Sequence, residues 1–289
     1  MLDIDQYQAQ QIIKNFQIPP KPQILIEIQE VQAQSNPSAK AFADVISKDV
    51  ALSAAVLKMI NSPVFGLRHT ISNIRQSVVL LGNNNIVNLV SFFQLRKALN
   101  KKSSISHEKY WDTAMETANM MTVLIEHMLL QEQCSVEDAY SFGLFRDCGI
   151  PLMAMKFNNY KQVLIEANST SEQIFTDIED SYYQTNHATI GYFIASSWNF
   201  PKDLCQLISR HHETDFLYAN DTTRLNKYLY ALAKLASNIL SQHHYIKNDS
   251  EWLLSKDAVL GFFELSDLDY LYLEEDVKEI FKIKFAFTS

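Results

Sequence analysis

The chain has 289 residues, 47% hydrophobic and 11% aromatic, with a net charge of −8. That composition supports a sizeable core and excludes a disordered or low-complexity chain. Six isolated glycines exclude the clusters of a Walker or Rossmann phosphate loop, and three cysteines without CxxC spacing exclude a disulfide framework or a structural zinc site.

In chain order, residues 1–16 read as an acidic amphipathic helix without a signal peptide's basic start. Pro19, Pro20 and Pro22 separate it from a second helix, and Asn36-Pro37-Ser38 opens a third. In Asp49–Ile60 the residues Leu52, Val56, Met59 and Ile60 recur at helical spacing, and Asn61-Ser62-Pro63 ends that helix. Gly66 suits a positive-φ position, and Gly82 suits the end of one helix before the next. Arg96, Lys97, Lys101 and Lys102 cluster at a predicted helix end, where cations suit the dipole. The polar stretch Lys101–Ser106 reads as a linker. Tyr110–Leu130 is apolar on most faces, the pattern of a central buried helix. Pro151 and Pro201 sit near helix starts. A further stripe, Leu225, Tyr228, Leu229, Leu232, Leu235, Ala236 and Ile239, marks a helix over Arg224–Leu240, with His243 and His244 expected exposed beyond its end. The tail from Leu265 to Ser289 reads as a last helix, with Leu271, Leu273, Val277, Ile280 and Phe281 on its apolar side.

Charge divides the chain: residues 1–105 carry 11 Lys/Arg and 6 Asp/Glu, and residues 106–289 carry 14 and 27. Together with the linker, this predicts an all-α, two-lobed protein: a five-helix lobe over 1–105 and a larger helical bundle over 106–289. No apolar run reaches the roughly 18 residues that span a bilayer. The expectation is a cytoplasmic protein with no membrane contact and reduced, buried cysteines. The acidic second lobe argues against nucleic acid as a partner.

Four ordered stretches of the first lobe carry a resemblance. They are Ile18-Pro19-Pro20-Lys21-Pro22, Ile46–Leu52, Met59–Gly66 with its Asn61-Ser62-Pro63, and Ile71–Gly82. Together they resemble the opening motifs of the HDOD family, a degenerate relative of the HD-domain metal phosphohydrolases of bacterial signalling. The resemblance covers roughly residues 16–215. Each motif also has a plain structural reading, as a cap, a turn or a helix stop.

In the second lobe the resemblance implies a damaged metal site. A working HD site gathers histidines and aspartates around one or two divalent ions, because imidazole and carboxylate offer the lone pairs a metal needs. Tyr110-Trp111-Asp112-Thr113 resembles a motif that ends in histidine, so Thr113 stands in place of the first ligand. In Gly143–Gly149 the His-Asp pair becomes Arg146-Asp147. In Leu235-Ala236-Ser237-Asn238 the closing aspartate becomes Ser237. His187 and the pair His211-His212 persist. Adjacent helical residues point about 100° apart, so one of His211 and His212 is expected in the cleft and the other near solvent. A guanidinium at Arg146 would repel a metal and needs acceptors.

These readings predict a non-catalytic regulatory module, a pseudoenzyme with no resident metal or other cofactor. It would bind a partner protein or a small ligand such as a nucleotide, with a homodimer as a further possibility. Thr113, Arg146, Asp147, His187, His211 and Ser237 would line an eroded, structural or ligand-binding cleft. Asp147, His187 and His211 alone would make a weak three-ligand site. The alternative is a metal-dependent phosphohydrolase or phosphodiesterase with atypical ligands.

Overall fold

The computed structural model describes residues 15–67 and 69–285 and is all-α, with no strand among them. The helix predicted over residues 1–16 lies almost wholly outside the described residues. The chain forms two compact units, one of Pro20–Asn100 together with the end of the chain from Lys284, and one that joins residues up to Pro19 to Lys101–Ile283. This differs from a division at 105, because the segment ahead of Pro20 belongs with the larger unit. The reason is aromatic: Phe16 packs edge-on against Phe157 at 5.8 Å, and the Trp198 indole N–H donates to the Pro19 carbonyl at 2.9 Å.

The smaller unit holds α1 (Gln23–Gln32), α2 (Ala39–Ile46), α3 (Val50–Ile60), α4 (Ile74–Leu81) and α5 (Asn83–Ala98). Three of the five starts are capped by a side chain. Ser38 caps α2, Asp49 accepts the Leu52 N–H at 3.0 Å to cap α3, and Asn73 accepts the Gln76 N–H at 2.9 Å to cap α4. Asn61 ends α3 and clasps Ile71, donating to its carbonyl and accepting from its N–H at 2.8 and 2.7 Å. Gly66 and Gly82 both have positive φ, 55° and 78°. The core is Leu25, Ile28, Phe42, Ile46, Val56, Ile60, Ile86 and Val90, all fully buried.

The larger unit is built on α6 (His107–His127), the expected central helix, which packs against α7 (Val136–Phe145) and α13 (Arg224–Tyr245). Gly143 permits the first contact: a Cβ there would meet the Ala118 Cα at 2.5 Å. Between them run α8 (Ile150–Lys156), α9 (Tyr160–Ala167), α10 (Phe175–Tyr183), α11 (His187–Ser197) and α12 (Lys202–Arg210). The chain closes with α14 (Trp252–Phe262) and α15 (Asp267–Phe285). Two expectations are corrected. His243 and His244 lie inside the last turn of α13 and not past its end, while His244 is exposed as expected and pairs with Glu116 at 3.1 Å. On α15 the buried side is Tyr270, Leu273, Val277 and Phe281, whereas Leu271 is 59% exposed. Tyr270 takes the inward place because it stacks on Trp252 and accepts from Asn238 Nδ2 at 2.7 Å. Among the described residues no single helix is long and apolar enough to cross a membrane. All three cysteines are free and buried.

Candidate functional site

Three helix ends of the larger unit deliver the site. Arg146 and Asp147 follow α7, where the chain leaves the helix in a turn. His187 is the first residue of α11, set there by Asn186, whose side chain accepts the Thr189 N–H at 2.8 Å. His211 caps the C-terminus of α12 and His212 follows it. Gly149 makes the approach of the α7–α8 turn to α11 possible. A Cβ on it would fall 2.0 Å from the His187 carbonyl oxygen, so any side chain there would push His187 out of place.

Asp147 lies at the centre, and its two oxygens face different ways. Oδ2 accepts from Arg146 Nε at 3.0 Å. Oδ1 faces His211 Nε2 at 3.1 Å and His187 Nε2 at 3.5 Å. Arg146 also donates from Nη1 to the Ser237 hydroxyl at 2.8 Å and to the Ala233 carbonyl at 3.3 Å, both on α13. Two positions that the motif resemblance marks as altered therefore bond to each other. The adjacent Arg146 and Asp147 can pair because both lie in the turn after α7 and not inside the helix. Thr113 lines the same cavity but is exposed, and its hydroxyl is spent on the Lys109 carbonyl at 2.9 Å.

His211 and His212 both reach the cleft, against the expectation from ideal helix spacing. The helix stops at His211, which has φ −70° and ψ −6°, and the two rings lie 4.1 Å apart. His212 Nε2 sits 3.0 Å from His187 Nε2. Asp147, His187, His211 and His212 each offer one ligand atom, and the four atoms lie within 4.8 Å of one another.

Behind the cluster stand residues that the sequence did not single out. Glu179, fully buried on α10, accepts the His187 N–H at 3.0 Å and faces its Nδ1 at 2.6 Å; it also accepts from the Tyr160 hydroxyl. Glu251, just before α14, faces His212 Nδ1 at 2.8 Å and accepts from Lys234 Nζ at 2.6 Å and the Phe175 N–H at 2.8 Å. Phe175 stacks on His212 and meets His187 edge-on.

The electrostatics follow from these pairings. Burial opposes charge on Asp147, but Arg146 beside it and the facing histidines outweigh that and hold its carboxyl well below the usual range. Burial likewise opposes charge on His187, and Glu179 with Asp147 overcomes it, pushing the imidazole up to about 10. Burial dominates at His211 and His212 and lowers both. Burial is also outweighed at the Glu251–Lys234 pair, so Glu251 stays well below and Lys234 above its ordinary value.

A cavity of about 920 Å³ opens over the cluster, with Lys109, Tyr110, Lys161 and Lys247 on its walls. The Tyr110 hydroxyl is buried there without a hydrogen-bond partner among the described residues.

The HDOD domain pattern matches residues 18–214. An uncharacterized protein of Treponema pallidum (strain Nichols) is 26% identical over 202 residues, which is 68% of this chain but 37% of that relative. The chain thus spans little more than a third of that protein's length. Among solved structures, a protein of Marinobacter aquaeolei VT8, provisionally named for signal transduction, superposes with a TM-score of 0.70 at 18% identity, covering 99% of this chain and 66% of that one. One from Shewanella amazonensis SB2B, provisionally named a phosphohydrolase, gives 0.67 at 20% identity over 93% of both chains. An HDOD protein of unknown function from Geobacter sulfurreducens gives 0.62 at 18% identity, covering 97% of this chain and 99% of that one. At these identities the likeness is one of fold. With the domain pattern running through both units and ending just beyond His212, the chain belongs to the HDOD domain family.

Proposed function

We propose that the chain is a non-catalytic regulatory module of bacterial signalling in the cytoplasm, which binds a small ligand or a partner protein in the cavity over Asp147. The observation that carries this reading is the Arg146 bridge. Where the motif resemblance expects a metal-ligating histidine, a permanent cation joins Asp147 to Ser237. A guanidinium has five donors and no acceptor, so it can neither ligate a metal nor act as a base. Thr113 and Ser237 offer neither imidazole nor carboxylate. HD chemistry relies on metal-activated water near phosphorus, and much of the wall that would hold it is rebuilt as a hydrogen-bonded network.

The cavity suits a ligand of nucleotide size. Lys109, Lys161 and Lys247 suit an anionic ligand, and the free Tyr110 hydroxyl supplies a directional donor. The test pairs binding with turnover. Mono- and cyclic dinucleotides are screened by thermal shift and equilibrium dialysis, and hydrolysis is assayed with and without added Mn²⁺. Saturable binding at background turnover is the expected outcome. Metal-dependent hydrolysis that disappears in Asp147→Ala would overturn it. That second reading, an atypical phosphohydrolase, is favoured by one observation, the convergence of three imidazoles on Asp147.

A further inference from the structure

The cavity wall carries two sets of polar atoms that no neighbour satisfies. The first set consists of donors. Arg146 spends Nε on Asp147 and Nη1 on Ser237 and Ala233, and its Nη2 group has no acceptor among the described residues. The buried Tyr110 hydroxyl has none either, and the ammonium group of its neighbour Lys109 has no carboxylate partner among the described residues. Residues 106–289 hold 27 acids against 14 bases, so three unspent donors on one wall go against the composition around them.

The second set lies on the loop between α13 and α14. The Asp249 N–H donates to Asn238 Oδ1 at 2.8 Å, and Asp249 Oδ1 accepts the Glu251 N–H at 3.1 Å. The carboxyl group is thereby fixed, and Oδ2 has no donor among the described residues. Burial pushes this carboxyl up, and Lys234 and Arg146 pull it back only in part. Asn248 Oδ1 accepts from Gln242 Nε2 at 2.7 Å, which leaves Asn248 Nδ2 as an unspent donor next to an unspent acceptor.

We propose that the cavity binds a guanine nucleotide, with its phosphate on Arg146 Nη2, Tyr110 and Lys109 and the edge of its base on Asn248 and Asp249. This deepens the ligand-binding reading above and rests on it. A guanidinium and a hydroxyl match phosphate oxygens, and charge-assisted bonds of this kind are the strong ones. The guanine edge offers an acceptor, O6, beside two donors, N1–H and N2–H. Asn248 Nδ2 can donate to the first, and Asp249 Oδ2 can accept from the others. Adenine offers a carboxylate one N–H group beside the N1 lone pair, which repels it. A carboxylate held partly out of water is also relieved by N–H donors brought to it. The two sets lie close enough for one ligand to span them, since the Arg146 charge is felt at Asp249.

The test uses the full chain and isothermal titration with GMP, AMP, guanosine and XMP. GMP should bind about tenfold or more tighter than either AMP or guanosine. Xanthine has a carbonyl where guanine has its amino group, and an asparagine side chain can donate to it. Asp249→Asn should therefore lose GMP affinity and gain XMP affinity, reversing their order. Tyr110→Phe should weaken GMP about tenfold and leave the ratio of GMP to AMP unchanged. Thermal melts check that both variants fold, and the wild-type comparison of GMP with AMP needs neither. Equal affinity for GMP and AMP, no GMP binding, or an Asp249→Asn protein that still prefers GMP to XMP overturns the inference. The regulatory reading fails separately, on Mn²⁺-dependent hydrolysis; GMP binding with such turnover removes that reading and keeps the guanine site.

Discussion

The two units bury polar groups in opposite ways. Among the described residues of 20–100 the buried polar side chains are Ser77, Ser91 and Gln94, none of them charged. Polar chemistry there sits at helix ends, in Asp49, Asn61 and Asn73. The larger unit buries Glu179, His187, His211, Lys234 and Glu251, nearly all of it around one cavity. A unit that needs only to fold can leave its charges in water. Buried charge costs several kcal/mol of desolvation and is tolerated only where partners are complete. The concentration of such groups in one unit marks where chemistry or binding is kept.

That contrast can be broken by substitution. The largest effect is expected at Lys234→Ala, which strips Glu251 of its fixed cation and should destabilise by about 3–5 kcal/mol, read by urea denaturation. A loss under about 1 kcal/mol would mean that the buried network is no more critical than a surface pair. Arg146→Ala should cost less, about 2–3 kcal/mol, because Asp147 keeps 26% of its side chain in contact with solvent. A melt indistinguishable from wild type would show that the Asp147–Ser237 bridge is not structural.

In the smaller unit, no polar change should reach these values. Asn73→Ala removes the α4 cap and should cost about 1 kcal/mol, read by hydrogen exchange in α4. The smallest effect concerns pH. The Leu52 N–H holds the Asp49 carboxyl below its ordinary value. Its contribution is therefore present above the unfolded value of about 3.9 and fades as pH falls through the folded one. Asp49→Asn keeps a capping oxygen but does not titrate. It should flatten the acid limb of α3 protection below about pH 4 and lower protection slightly at neutral pH, where the ionised carboxylate contributes.

Most of the fold was legible because helices announce themselves locally. Asp49, Asn73, Ser106 and Thr223 each stand shortly before an apolar stripe, and each caps the helix that follows. The site was legible in part. Asp147, His187 and His211 were found through short motifs, and Ser237 lies against Arg146. His212 was misjudged because ideal helix geometry was applied to a residue just past a helix end. Glu179, Lys234 and Glu251 had no local signal. Glu251 meets its partner Phe175 from 76 residues away, in a segment so rich in acids that one more carried no information.

The anchoring of Phe16 and Pro19 has a practical consequence. The larger unit is discontinuous in sequence, with residues 20–100 spliced into it after its first strap. A fragment begun at Lys101 would lack the Pro19 acceptor of the Trp198 indole and the aromatic cover of Phe157. Dissecting the molecule by a single cut would therefore injure the half meant to be preserved. Excising residues 20–100 and rejoining Pro19 to Lys101 through a short flexible linker respects the way the chain is threaded.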